Sequence, residues 1–131
     1  MTAKKAIKAL IVEDDLLLSK ALSSKLEQEK FEVLMAKNGQ EALAMAKEHS
    51  PDIILLDLML PVMNGFEVLS NLKLDAQLKS IPVLILSNLG QAEEIKRGEG
   101  LGADGYLIKS DVSLKTVVEK VNELLKDGKK K

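Results

Sequence analysis

Charged and hydroxyl side chains follow four of the apolar runs in this chain. Carboxylates that come within a few ångströms of one another repel by about 1 to 4 kcal/mol per pair, so they need a neutralising cation. An all-oxygen site with few carboxylates suits Mg²⁺ better than Ca²⁺. A carboxylate beside Mg²⁺ and a lysine is suited to phosphoryl transfer, in which the carboxylate can itself be the acceptor. The side chains are Glu13, Asp14 and Asp15 after the first run, Asp57 after the third, Ser87 after the fourth and Lys109 after the fifth.

Taken one at a time, these side chains also have structural explanations. Asp15 is placed to cap the helix that follows it, and an isolated acidic residue after a strand is more often structural than nucleophilic. A serine at such a position is usually a turn residue, and a lysine is usually solvated. Only the joint placement of acids, hydroxyl and base favours a site. His49 falls at a helix end, where it suits the helix dipole, and we assign it no catalytic role.

The apolar runs alternate with segments of helical period, which is the pattern of β-α units in a parallel sheet. Most runs are continuously apolar, as strands covered on both faces are. Ligands of such sheets bind beyond the carboxyl ends of the strands, so the polar residues there should meet at one edge. The five predicted strands are residues 7–12, 33–36, 53–56, 83–86 and 106–108.

Caps and apolar stripes predict the helices between these strands. Asn38, three residues before Glu41, predicts the start of the second helix. The segment 91–103 contains three glycines that each cost about 1 kcal/mol inside a helix, so we expect a short, weakly held fourth helix. The stripes of the first and last helices are Leu18, Leu22 and Leu26, and Leu114, Val117, Val118, Val121, Leu124 and Leu125.

Composition excludes several classes of function. The 19 basic and 20 acidic residues give a formal charge of -1, so no overall field holds nucleic acid or an anionic membrane. The absence of cysteine excludes a disulfide framework, thiol catalysis and cysteine metal sites, and one histidine makes a Ser-His-Asp triad hard to build. The longest apolar run is interrupted by Asp57 and Pro61 and is shorter than the about 20 residues that cross a bilayer.

Chain length predicts a single domain. With 131 residues, 46% of them hydrophobic, the chain is long enough for one core and too short for a substantial second one. We predict one domain over residues 1–131, with a core of about 6–126 and a basic tail at 127–131. The amino-terminal segment lacks the pattern of a secretory signal, so we expect a cytoplasmic protein.

Four motifs, in order along the chain, resemble the receiver domain of two-component response regulators. The resemblance covers nearly the whole chain and is specific because the four motifs have the family's spacing. It implies an α/β fold with five helices around a doubly wound, flavodoxin-like parallel sheet of order 2-1-3-4-5. The motifs are Val12-Glu13-Asp14-Asp15, Asp57-Leu58-Met59-Leu60-Pro61 with Asn64-Gly65, Leu86-Ser87, and Gly102-Ala103-Asp104-Gly105-Tyr106-Leu107-Ile108-Lys109.

The resemblance implies a phosphoryl acceptor and a metal site. Asp57 matches the phosphoacceptor of the family. Glu13 and Asp14 match residues that bind Mg²⁺ directly or through water, and Asp57 itself and the backbone carbonyl of Met59 complete the protein ligands.

The resemblance also implies how phosphorylation is sensed. Lys109 matches the lysine that contacts the acceptor carboxylate and then the phosphoryl oxygens, and Ser87 matches the hydroxyl that donates to the phosphoryl group. Tyr106 matches the family's switch aromatic, which swings inward with that hydroxyl. The added charge of about -2 then biases the surface of the fourth helix, fifth strand and fifth helix.

Two residues depart from the family pattern. Ser110 follows Lys109 where the family usually has a proline with a cis bond, and a cis bond to a non-proline residue costs about 3 to 4 kcal/mol. We expect either that strain or a trans bond that displaces Lys109. Asn88 follows Ser87 where the family usually has a smaller residue, so we expect narrowed access to Asp57 and slow phosphorylation or hydrolysis.

These observations favour a phosphoryl-accepting signalling switch in a two-component phosphorelay. We expect this protein not to be an enzyme and to assist only its own phosphorylation and dephosphorylation. The expected partners are a sensor histidine kinase or histidine phosphotransfer protein and a downstream protein target. We expect no direct contact with nucleic acid or membrane, and a monomer or a weak dimer through the fourth helix, fifth strand and fifth helix.

Three alternatives use similar sequence patterns. A receiver that takes no phosphate and serves as a fixed docking module remains open. An aspartyl-phosphate phosphohydrolase needs a second aspartate where Met59 stands, and a cap domain for which the chain has no room. A flavodoxin-like electron carrier needs a phosphate loop and stacking aromatics, whereas this chain has Glu13-Asp14-Asp15 there and 2% aromatic residues.

Overall fold

Five parallel strands form one sheet at the centre of the structure, a computed structural model that describes residues 6–129. The strand order is β2-β1-β3-β4-β5, which confirms the predicted order. Each strand begins and ends within one residue of its prediction. The strands are β1 (Lys8–Val12), β2 (Glu32–Ala36), β3 (Ile53–Leu56), β4 (Val83–Ser87) and β5 (Gly105–Ile108).

Five α-helices connect and follow the strands. The fourth helix has nine residues and is short, as predicted. The last helix runs through Lys129, well into the segment predicted as a basic tail, and the final two lysines of that segment lie outside the described residues. The helices are α1 (Leu16–Gln28), α2 (Gly39–His49), α3 (Gly65–Leu74), α4 (Ala92–Gly100) and α5 (Leu114–Lys129), with a 3₁₀ turn at Lys109–Asp111.

Polar caps start the first three helices directly after the loops at the strand ends. The side chain of Asp15 accepts hydrogen bonds from the first turn of α1, and Asn38 accepts one from Glu41 N at 2.8 Å, so both predicted caps are confirmed. Asn64 caps α3 in the same way, through Glu67 N at 3.0 Å. These bonds satisfy amide donors that lack partners within the helix.

Two apolar clusters cover the two faces of the sheet. Alternate residues of each strand point to opposite faces, so Leu10 and Val12 join one cluster while Ala9 and Ile11 join the other. The first cluster includes residues of α2 and α3, and the second includes the predicted stripes of α1 and α5. Burial on both faces explains why the strands are continuously apolar. Within the described residues, no helix is both long enough and apolar enough to cross a bilayer.

The strand register brings the carboxyl ends of the strands into line. Val12, the last residue of β1, is paired with Leu56, the last residue of β3. On the other side of the sheet Ser87 of β4 is paired with Ile108 of β5. The residues that follow these pairs therefore emerge at the same edge.

Gly65 lets α3 begin against the end of β3. Its amide donates to Leu58 O at 2.9 Å, and a Cβ atom added to it would lie 2.3 Å from the carbonyl oxygen of Asp57. No side chain fits at that distance, so the glycine fixes the path of the loop that follows Asp57.

The substitution Gly65→Ala should lower the free energy of unfolding by about 1 to 3 kcal/mol, because the backbone at Asp57 must move to admit the methyl group. The matched control is Gly100→Ala, where a Cβ would meet nothing within 4 Å and helix propensity should raise stability by up to about 1 kcal/mol. Urea unfolding of both variants measures the difference. Equal effects at the two positions would contradict the packing that we assign to Gly65.

Candidate functional site

The ammonium group of Lys109 joins two buried carboxylates at the sheet edge. Lys109 Nζ lies 2.7 Å from Glu13 Oε1 and 2.9 Å from Asp57 Oδ2. The side chains of Glu13 and Asp57 are only 3% and 5% exposed, and that of Lys109 is 17% exposed. Ion pairs that are withdrawn from water in this way are held in place more firmly than surface pairs, because neither partner can easily return to solvent alone.

Backbone amides hold the second oxygen of each carboxylate. Asp15 N donates to Glu13 Oε2 at 3.1 Å, and Met59 N donates to Asp57 Oδ1 at 3.2 Å. Each carboxylate is therefore fixed in orientation by the strand-to-helix loop that follows it, and both present one oxygen to Lys109.

Burial and pairing act in opposite directions on these groups. Burial raises the pKa of Glu13 above its ordinary value, and the hydrogen bonds from Lys109 and Asp15 only partly offset that rise. Burial would lower the pKa of Lys109, but its hydrogen bonds to Glu13 and Asp57 outweigh burial and raise that pKa. Lys109 therefore stays protonated at neutral pH.

Asp14 adds a third carboxylate to the cluster. Its side chain is exposed, and one oxygen from each of Glu13, Asp14 and Asp57 lies within 4.8 Å of the others. Three negative charges against the one ammonium charge of Lys109 leave a net charge of -2. The donor set is all oxygen, and this charge matches a divalent cation, so these residues fit Mg²⁺.

Ser87 and Tyr106 both engage the loop between β4 and α4. Ser87 is fully buried, and its hydroxyl accepts a hydrogen bond from Leu89 N at 3.4 Å. The Tyr106 hydroxyl donates to the carbonyl oxygen of Leu89. The Tyr106 ring lies against α4 at Gly98, where an added Cβ would be 3.3 Å from Tyr106 Cε2. Burial, followed by the charges of nearby carboxylates, raises the pKa of the Tyr106 hydroxyl.

The bond between Lys109 and Ser110 is trans, since the described residues contain no cis peptide bond. The expectation that a trans bond displaces Lys109 is wrong, because its ammonium still reaches Glu13 and Asp57. The 3₁₀ turn at Lys109–Asp111 accommodates the trans backbone. The side chain of Asn88 accepts a hydrogen bond from Ser110 N at 3.1 Å, a contact that sequence reasoning missed.

The loop after Asp57 contains a strained turn that the sequence did not reveal. Met63 N donates to Pro61 O at 2.7 Å across Val62, whose φ is 70°. This three-residue turn is rare, and a β-branched residue at positive φ costs about 1 to 3 kcal/mol. Val62 and Met59, both in the loop after Asp57, are exposed.

The sequence-predicted site residues are thus divided into two groups. Glu13, Asp14, Asp57 and Lys109 form one cluster, while Ser87 and Tyr106 meet at the β4–α4 loop. For Met59 the structure gives a hydrogen bond from its amide to Asp57, and the role of its carbonyl remains a prediction.

Comparison with known proteins identifies similar sequences. A family model described as "Response regulator receiver domain" matches residues 9–122. The chain is 40% identical over 102 residues to a protein of Pyropia yezoensis named probable transcriptional regulator ycf29, covering 78% of this chain and 46% of that protein. The chain spans less than half the length of the curated relatives that it matches.

Two solved structures have the same fold as this chain. The chemotaxis protein CheY4 of Vibrio cholerae superposes with a TM-score of 0.86 at 31% identity, covering 92% of this chain and 99% of that one. A phosphorylated cyanobacterial phytochrome response regulator, RcpA, superposes with a TM-score of 0.78 at 32% identity, covering 89% of each chain.

Magnesium should stabilise this chain through the carboxylate cluster. A cation that binds only the folded state raises its stability with concentration, so millimolar Mg²⁺ should raise the melting temperature at constant ionic strength. The substitution Asp14→Asn should abolish that rise. Without Mg²⁺ the same variant should be more stable than the wild type by up to about 1 kcal/mol, because one repulsive charge is removed.

The control for this prediction is Asp127→Asn, which removes an exposed carboxylate at the far end of α5. It should keep the full response to Mg²⁺. An equal response in the Asp14 variant and the wild type would exclude Asp14 from the metal site.

The raised pKa of Glu13 predicts a pH dependence without Mg²⁺. The folded protein holds this proton more tightly than the unfolded chain, whose carboxyl has the ordinary pKa of 4.5. The free energy of unfolding should therefore fall as the pH rises from 4.5 through the folded pKa, and this contribution should be absent from Glu13→Gln. Urea unfolding across this range measures both proteins, and identical slopes would contradict the prediction.

Proposed function

This chain belongs to the family of response regulator receiver domains, and we propose that Asp57 is the side chain that accepts the phosphoryl group. Membership makes the chain a phosphorylatable signalling protein and not a classical enzyme. The observation that carries the assignment of Asp57 is its contact with Lys109 Nζ at 2.9 Å beside two further carboxylates. It supports a site where a carboxylate nucleophile, a fixed ammonium and a cation-binding set meet.

Phosphoryl uptake by Asp57 forms one bond and breaks one. A carboxylate oxygen of Asp57 bonds to phosphorus while the bond from phosphorus to the donor's histidine nitrogen breaks, and that nitrogen then takes up a proton. The ammonium of Lys109 lies beside the acceptor oxygens, so it can follow the charge onto the phosphoryl oxygens without a large movement.

Three carboxylates and one backbone carbonyl would hold Mg²⁺ in this proposal. They are Glu13, Asp14, Asp57 and the carbonyl of Met59. When bound, Mg²⁺ supplies charge that offsets the negative oxygens of the phosphoryl group. Glu13 and Asp57 are fixed by the amides of Asp15 and Met59, which orients them before any cation binds.

Ser87 and Tyr106 would transmit phosphorylation to the surface. The Ser87 hydroxyl would donate to the phosphoryl group and give up its bond to Leu89 N, which loosens the β4–α4 loop. Tyr106 is bonded to the carbonyl of the same residue, so the loop and the aromatic ring move together. The surface of α4, β5 and α5 would change in consequence.

The proposed partners follow from this chemistry. The phosphodonor is a sensor histidine kinase or a histidine phosphotransfer protein in the cytoplasm, with the domain over residues 1–131 acting as one unit. The downstream partner is a protein that contacts the surface of α4, β5 and α5, on which a weak dimer could also form. Regulators of transcription among the relatives support an output in signalling. The formal charge of -1 is the basis for proposing no direct contact between this domain and nucleic acid.

Intact mass after incubation with Mg²⁺ and acetyl phosphate tests the proposal. We expect one added phosphoryl group on the wild type and on the control Asp127→Asn, and none on Asp57→Asn or in the presence of a chelator. Alanine or asparagine at an acceptor removes the nucleophile outright, so the loss should be complete. An adduct on Asp57→Asn would place the acceptor elsewhere, and no adduct on any protein would favour a fixed docking module.

A further inference from the structure

Three consecutive residues attach the β4–α4 loop to β5 and to the turn after it. Asn88 Oδ1 accepts a hydrogen bond from Ser110 N at 3.1 Å, and the carbonyl of Leu89 accepts one from the Tyr106 hydroxyl. Gly90 lies against Ile108, where an added Cβ would be 2.9 Å from Ile108 Cδ1. The loop and the end of β5 therefore form one connected unit.

Asn88 contacts the residue that directly follows Lys109. It follows Ser87, the buried last residue of β4, and reaches a residue 22 positions further on. Its acceptor holds the amide of Ser110, the residue directly after Lys109 in the 3₁₀ turn. A side chain anchored to the rigid end of β4 thus restrains the backbone from which the Lys109 side chain extends.

We propose that Asn88 is a positioning residue for phosphoryl uptake, whose carboxamide holds the turn after β5 so that the Lys109 ammonium stays between Glu13 and Asp57. The proposal rests on the proposed function and adds to it a residue whose side chain acts through the turn that follows Lys109. A misplacement of a charged group by about 1 Å can lower a rate by as much as about 100-fold, so restraint of this turn matters for transfer.

Substitution of Asn88 distinguishes this role from simple obstruction of the site. If Asn88 only narrowed access to Asp57, a smaller side chain would speed phosphorylation. If its hydrogen bond positions Lys109, a smaller side chain slows phosphorylation, and so does an apolar one of similar size. The two roles therefore predict opposite signs for Asn88→Ala.

Phosphorylation rates of two variants test the proposal, with acetyl phosphate and saturating Mg²⁺. Asn88→Ala and Asn88→Leu both remove the acceptor, and Leu keeps a similar size. We expect both to be slower than the wild type by about 2- to 10-fold, the range for loss of one hydrogen bond. A faster Ala variant, or an unchanged Leu variant, would overturn the proposal.

A second measurement does not depend on phosphate uptake. Exchange of the Ser110 amide hydrogen and of the Lys109 ammonium hydrogens with water is followed by nuclear magnetic resonance, with the amide of Ile85 in β4 as internal control. Both exchange rates should rise at least about 2-fold in the Ala and Leu variants, and Asn88→Asp, which keeps an acceptor, should restore slow exchange at Ser110.

The two measurements separate the proposals. If the wild type takes up no phosphoryl group, the proposed function fails, and the exchange rates alone decide whether Asn88 holds the turn. If Ser110 or Lys109 exchanges equally fast in the wild type and the Ala variant, the positioning role is wrong, even where Asp57 is phosphorylated.

Discussion

One ammonium group, that of Lys109, pairs with two buried carboxylates that follow different strands. The arrangement of the strand ends must satisfy this constraint. Glu13 follows β1 and Asp57 follows β3, whereas Lys109 follows β5, on the far side of β4. The Lys109 side chain must therefore pass the end of β4 to reach Asp57. A small residue, Ser87, stands at that end, fully buried. The parallel register places all these ends at one edge, so the ion pairs depend on the whole sheet.

The same carboxylate cluster lowers the stability of the folded protein while it forms the proposed functional site. Two carboxylates are buried and a third lies beside them, and burial raises the pKa of Glu13 even though Lys109 is bonded to it. An apolar set of similar shape would fold at lower cost. The net charge of -2 is instead suited to binding a divalent cation, which the proposed function requires. The strained backbone of Val62, in the loop after Asp57, is a further cost to stability in this part of the structure.

Local features of the fold could be predicted from the sequence, and long-range contacts could not. Strand ends were predicted within one residue, because apolar runs and the caps Asp15 and Asn38 are local signals. The Lys109–Asp57 pair joins residues 52 positions apart. The pattern of parallel strands placed both residues at one edge of the sheet, and only the resemblance to a family indicated their direct contact. The cost of Gly98 in α4 could be estimated from sequence, but the close packing of Ile85 and the Tyr106 ring against it required the packed structure.

The geometry of Lys109 shows why motifs alone were insufficient. The sequence implies a choice between a strained cis bond and a displaced lysine, because a local motif contains no information about the contacts that Ser110 makes with other loops. The structure resolves that choice with a 3₁₀ turn and with a side chain from another loop, Asn88. Such compensation involves residues from separate elements, and no local pattern records it.

The most direct test of the central claim is the coupling energy between Lys109 and Asp57, measured in a double-mutant cycle. Urea unfolding without Mg²⁺ gives the stabilities of the wild type, Lys109→Met, Asp57→Asn and the double variant. A buried pair that organises the sheet edge predicts a favourable coupling of about 1 to 3 kcal/mol. Additive effects, with a coupling below about 0.5 kcal/mol, would contradict the account, because Lys109 would then not be held by the acceptor carboxylate.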